Sequence, residues 1–189
     1  MLKKIRTPED VEREKKRNQR ITGFVLMGIM VLSTLGYSFF SGDGNSSGGG
    51  KVKEKGLEFI RTSTGWTTNL NGINFNFQFL PSEVSDIPVT TSFTLNDYTG
   101  QTVYFVNSGP VAGEILQNLN SYVLRAQEAC LKGEPCTGDL PVKTCSEKLI
   151  VYKEGKNLTG VYQNESCVYL EGESIKAADA FLYKILGVN

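Results

Sequence analysis

From Ile21 to Phe40 the chain carries twenty consecutive residues without a formal charge. Wound as a helix, such a run spans roughly 30 Å, the thickness of a bilayer's hydrocarbon core. A core helix of a water-soluble protein keeps a polar stripe. Here Phe24, Val25, Leu26, Met27, Ile29, Met30, Val31 and Leu32 surround the axis on all sides. Arg13, Lys15, Lys16, Arg17 and Arg20 crowd one end, while Tyr37, Phe39 and Phe40 suit the opposite interface. Residues 21–40 therefore read as a transmembrane signal-anchor helix embedded in the lipid bilayer. A cleaved signal peptide is the competing reading, and it expects a shorter apolar core with small residues before the cleavage site. This run is long and ends Tyr-Ser-Phe-Phe-Ser-Gly, which does not meet that pattern. Basic flanks stay on the cytoplasmic side, so the expected localisation is the cell membrane, single-pass, with a cytosolic N-terminus and an extracytoplasmic C-terminal domain.

The overall net charge of zero conceals a division, because residues 1–20 hold eight basic and four acidic side chains and residues 41–189 hold twelve and sixteen. Within the cytosolic tail, residues 1–20, Thr7 and Pro8 suit a helix start. Glu9, Asp10 and Glu12 come early and Arg17 and Arg20 late, which complements a helix dipole. From Thr7 to Arg20 only Val11 offers an apolar side chain to a helix face, so this segment reads as a solvated helical stalk. No histidine occurs in the chain. That absence removes the commonest general base near neutral pH and the commonest metal ligand. The acidic outer part also lacks the basic footprint of a nucleic-acid binder. No cofactor, metal or nucleic-acid partner is expected.

After the anchor, SGDGNSSGGG is a flexible tether with an r.m.s. span of about 17 Å. The polar KVKEKG is expected to continue it, giving a linker over residues 41–56 and a folded domain over residues 57–189. That domain opens on GWTTNLNGINFNFQFLP. Asn71-Gly72 favours a two-residue type I′ hairpin, which sets Leu70 opposite Ile73, Thr68 opposite Phe75 and Trp66 opposite Phe77. Trp66, Leu70, Ile73, Phe75, Phe77 and Phe79 then share one face, as a half-buried antiparallel sheet requires. Val89–Leu95 alternates again, and Thr102–Val106 is a short apolar strand. From Gly109 the spacing of Ala112, Ile115, Leu116, Leu119, Tyr122, Val123, Ala126 and Cys130 predicts a helix of about twenty residues. Strands are expected near 148–153, 158–162 and 167–170. A last helix follows, with Ser174 as cap, Ile175, Ala178, Leu182, Ile185 and Leu186 buried, and Gly187 near its end. The expected fold class is α+β, a small mostly antiparallel sheet covered by two helices.

Cys130, Cys136, Cys145 and Cys167 all follow the apolar run and none precedes it. Four cysteines on the outer side imply two disulfides. Of three possible connectivities, the expected one is Cys130–Cys136 with Cys145–Cys167. A four-thiolate zinc site would show two close Cys-x-x-Cys pairs, which these spacings do not provide. Three glycosylation sequons, at Asn45, Asn157 and Asn164, become acceptors only in a host that glycosylates exported proteins.

Val106-Asn107-Ser108-Gly109-Pro110 joins a strand to a helix start, where backbone amides can bind an anion. It lacks the glycines and lysine of a P-loop, and an ordinary cap accounts for it. Serine chemistry has neither a G-x-S-x-G motif nor a histidine base. Glu171, Glu173 and Asp179 lie near the last helix, and spacing alone does not nominate a carboxylate pair. No catalytic residue is nominated. The sequence reads as a single-pass membrane-anchored protein presenting an extracytoplasmic binding or assembly domain, with an envelope protein as partner. The alternative is a membrane-tethered envelope enzyme with a serine- or carboxylate-based site brought together by folding.

Overall fold

The computed structural model describes residues 50–188 apart from 156–157. The expected tail, membrane span and most of the tether, residues 1–49, lie outside the described residues. Among the described residues no helix is long and apolar enough to cross a membrane.

The domain begins with a four-stranded antiparallel meander, β1 (Lys51–Glu54), β2 (Leu57–Arg61), β3 (Trp66–Leu70) and β4 (Ile73–Phe77), paired in chain order. The β3–β4 hairpin has the expected register, Leu70 with Ile73, Thr68 with Phe75 and Trp66 with Phe77. Asn71 and Gly72 both take positive φ, 53° and 87°, as a type I′ turn demands. Phe75 and Phe77 are buried with Phe59 of β2. Ile73 shares their face but remains 47% exposed beside the turn. The segment expected to extend the tether is instead β1 and a second left-handed turn at Lys55 and Gly56. Val52 pairs with Phe59 and packs on the core, so three charged neighbours do not keep this stretch from the sheet.

A six-stranded sheet follows, in the order β5 (Val89–Thr90), β11 (Gly160–Asn164), β12 (Cys167–Glu171), β10 (Lys148–Lys153), β6 (Thr102–Val106) and β7 (Arg125–Glu128). The expectation of a mostly antiparallel sheet does not hold for it. Only β11–β12 is antiparallel, and the other four pairings are parallel. The physical reason is visible in β10 and β12. Strands buried on both faces read as unbroken apolar runs, which periodicity alone does not assign to a pairing direction. Ile150, Val168 and Leu170 join the main core, while Leu149, Val151 and Tyr169 join a second cluster on the opposite face. The short pair β8 (Cys130–Leu131) and β9 (Val142–Lys143) lies near that second cluster, to which Leu131 contributes.

The first helix, α1 (Gly109–Leu119), is about half its expected length. After Leu119 the chain turns, Leu124 donates its N–H to Gln101 at 2.9 Å, and residues 125–128 run beside β6 as the edge strand β7. Tyr122, Val123 and Ala126 still pack on the core, from a turn and a strand, so the helical spacing continued by coincidence. The alternating 89–95 segment is a strand only at Val89–Thr90. Beyond it the Gln163 side-chain oxygen accepts from the Thr91 hydroxyl at 2.8 Å and from Ser92 N–H at 2.9 Å, replacing ladder bonds.

The last helix, α2 (Ser174–Leu186), ends at Gly187 with φ 75°, and Val188 donates back to Tyr183 at 2.9 Å. Its buried residues run unbroken from Ala177 to Tyr183. A helix buried all round has packing partners on several sides. Tyr183 stacks on Phe77 of the meander, while Phe181 meets Tyr98 edge-on. The α+β class holds, with the helices joined to both sheets through one core.

Two glycines carry opposite expectations. At Gly65, φ 155°, an added Cβ would lie 2.1 Å from the Phe77 carbonyl oxygen. Gly113 sits exposed within α1 with nothing near. Gly65→Ala is expected to lower stability by about 2 kcal/mol or more, and Gly113→Ala to raise it by about 0.5–1 kcal/mol. Urea melts of the two variants check the opposite signs.

Candidate functional site

At the carboxyl ends of β6 and β7 the domain has a pocket of ≈ 190 Å³. Crevices beyond the carboxyl ends of parallel strands are the usual ligand sites of open α/β sheets. Phe105 and Val106 from β6, Glu128 from β7, the start of α1, and a loop containing Pro135, Thr137 and Leu140 line it. The Cys130–Cys136 disulfide closes that loop.

The β6–α1 junction is not the ordinary cap expected from sequence. Asn107 has φ 52°, Ser108 φ −83° and ψ −21°, and Gly109 φ 41°. Residues of alternating hand turn successive amides toward one concave side. None of the N–H groups of Asn107, Ser108 and Gly109 has an acceptor among the described residues. Pro110 has no N–H, and Val111 donates to the Ser108 carbonyl at 2.8 Å. Ser108 is 4% exposed, yet its hydroxyl makes no capping bond. Glu128 is the one titratable side chain among the lining residues.

A second polar cluster is sealed. Asp179 of α2 is fully buried, as are Glu114 and Asn118 of α1 almost entirely. Asp179 Oδ2 accepts the N–H groups of Gln78 and Phe79 at 2.9 and 2.8 Å. Asn118 bonds both main-chain groups of Asn76, accepting at 2.8 Å and donating at 2.7 Å. Glu114 accepts from Gln78 Nε2 at 2.8 Å and from Gln117 Nε2 at 2.9 Å. Burial, with the nearby Glu114 charge, pushes the Asp179 carboxyl up to about 8, against the pull of the two amides. Asp179 Oδ1 lacks a partner as an ion, and a proton there supplies a donor toward Glu114. Asp179 has no exposed surface, and its bonds to Gln78 and Phe79 tie the last helix to the end of the meander.

The remaining sequence-nominated residues are dispersed. Both expected disulfides form, Cys130–Cys136 and Cys145–Cys167, and no cysteine is free, which leaves no thiolate set for zinc. Among the described residues no group of His, Cys, Asp or Glu is placed to hold a metal ion. Asn164 is exposed at the end of β11. Asn45 and Asn157 lie outside the described residues. Glu171 accepts from the Tyr162 hydroxyl at 2.9 Å, and Glu173 pairs with Lys176 at 3.0 Å. Glu114 and Glu128 carry no sequence signal, since each is one acid among many in a helix or strand. Asp179 had one, an acid beside the stripe Ile175, Ala178, Leu182. Comparison with protein-family models, curated proteins and solved structures finds no match.

Asp179 binds its proton more tightly folded than unfolded, since its value rises from 3.8 to about 8. Its contribution to stability is therefore complete below about pH 4 and is lost as pH rises toward 8. Asp97 and Glu147, whose values are lowered by Thr94 and Thr144 hydrogen bonds, act in the opposite sense at more acid pH. Melting temperature is expected to fall between pH 5 and 8 and to flatten in Asp179→Asn. An unchanged slope in that variant refutes the assignment. Replacing Cys145 and Cys167 by alanine is expected to cost about 3 kcal/mol, and the shorter Cys130–Cys136 loop about 2 kcal/mol, measured by denaturant melts without reductant.

Proposed function

We propose that the chain is a single-pass membrane-anchored protein, held by residues 21–40, that presents its disulfide-bonded domain outside the cytoplasm for binding or assembly at the cell envelope. The observation that carries this reading is that all four cysteines are oxidised in pairs within the domain that follows the apolar run. Stable disulfides belong to oxidising compartments. The charge division supports the orientation, since the basic tail precedes the run and the acidic domain follows it.

Binding is favoured over catalysis by the pocket at the strand ends. It offers hydrogen-bond donors and one carboxylate, and no second titratable group stands beside the Ser108 hydroxyl to activate it. An envelope protein is the proposed partner, with the tether letting the domain reach it near the bilayer.

Protease added to intact cells, or to spheroplasts where a wall intervenes, is expected to digest the domain and leave the tail protected. A domain that becomes cleavable only after lysis overturns the orientation.

A further inference from the structure

We infer that the pocket at the carboxyl ends of β6 and β7 binds a small carboxylate that also carries a hydrogen-bond donor, an ammonium or a hydroxyl group. This deepens the reading of the domain as a binding module and rests on it.

A helix start alone does not make a binding site. The distinguishing observation is Ser108, a residue nine-tenths buried that lines the cavity and whose hydroxyl makes no capping bond to the helix it begins. A hydroxyl at the cavity wall that spends no bond on the helix is available to a ligand oxygen. The same ligand atom group would meet the amides of Asn107, Ser108 and Gly109, which the alternating hand of the backbone turns to one side. Such successive donors bind anionic oxygens.

Glu128 narrows the ligand class. It sits on β7 directly across from Phe105 and lines the pocket together with the β6–α1 junction. A phosphate dianion would meet repulsion there with no basic side chain among the lining residues to offset it. A molecule whose carboxylate faces the amides and whose donor faces Glu128 satisfies both ends. The cavity volume of ≈ 190 Å³ suits a molecule of a few heavy atoms. Phe105, Val106 and Leu140 give it an apolar wall.

The test is a titration of the ¹⁵N-labelled full chain in detergent micelles with glycine, acetate and inorganic phosphate. Glycine is expected to shift the amide resonances of Asn107, Ser108 and Gly109 saturably, with acetate weaker and phosphate weakest. Ser108→Ala is expected to weaken glycine about tenfold. Glu128→Gln, at an exposed strand end where folding is not at stake, is expected to weaken glycine and strengthen acetate. The proposal is overturned by the absence of saturable shifts at these amides with glycine and acetate, by phosphate binding as tightly as glycine, or by Glu128→Gln leaving the order of affinities unchanged. Failure here with a protease-accessible domain rejects this ligand class alone. Bound glycine with a domain cleaved only after lysis rejects the envelope orientation alone.

Discussion

The structure depends on how the outer edge of β4 is satisfied. An antiparallel meander ends on a strand whose alternate N–H and C=O groups have no partner, and burying them unpaired costs about 1–3 kcal/mol each. Among the described residues no fifth strand covers this edge. Two helices do so with side chains, Asn118 acting on both main-chain groups of Asn76 and Asp179 on the amides of Gln78 and Phe79. These bonds span about forty and one hundred residues of sequence, so they can form only when the meander, α1 and α2 are already assembled. They tie the hairpin sheet to the helices, and through the shared core to the parallel sheet. The cost of the arrangement is a buried acid next to another acid, which is resolved by holding a proton.

The pocket lies elsewhere, at the carboxyl ends of β6 and β7. The strands β6 and β7 stop, the backbone alternates in hand from Asn107 to Gly109, and α1 begins with donors that no group among the described residues accepts. The loop opposite is short and crosslinked, so the pocket wall is held by a covalent bond and not by packing alone. The second disulfide serves the sheet itself, joining Cys145 to Cys167 at the start of β12. The acid pair and the pocket thus separate two uses of buried polar groups. At Asn118 they are satisfied by the main chain and at Asp179 by two amides and a proton, while the Ser108 hydroxyl makes no capping bond and its residue lines the pocket.

Local chemistry was legible where one short-range rule decides. Asn71-Gly72 set a hairpin and its register because only a pair tolerant of positive φ fits a type I′ turn. Gly187 ended a helix for the same reason. The disulfide pairing followed from loop length and neighbouring strands. Lys55-Gly56 was missed as a turn because lysine is an uncommon occupant of that conformation, so β1 was read as tether. The length of α1 was missed because Tyr122, Val123 and Ala126 repeat at a spacing that suits a helix, although they reach the core from a turn and an edge strand. The pocket was half legible. The strand–helix junction at Ser108 was visible, but the cavity that it lines together with Glu128 is a fact of three-dimensional neighbourhood.

What the amino-acid order determined by itself was the apolar run with its basic flank, the hairpin, the main strands and the cysteine pairs. Each of these depends on groups close in sequence or on bulk partition between water and lipid. Tertiary structure alone decided that β10 inserts between β6 and β12, that the sheet is therefore mainly parallel, and that Asp179 and Glu114 meet. Pairing direction and buried polar contacts are set by which distant segments compete for the same unpaired backbone, and that competition is settled only when the whole core closes.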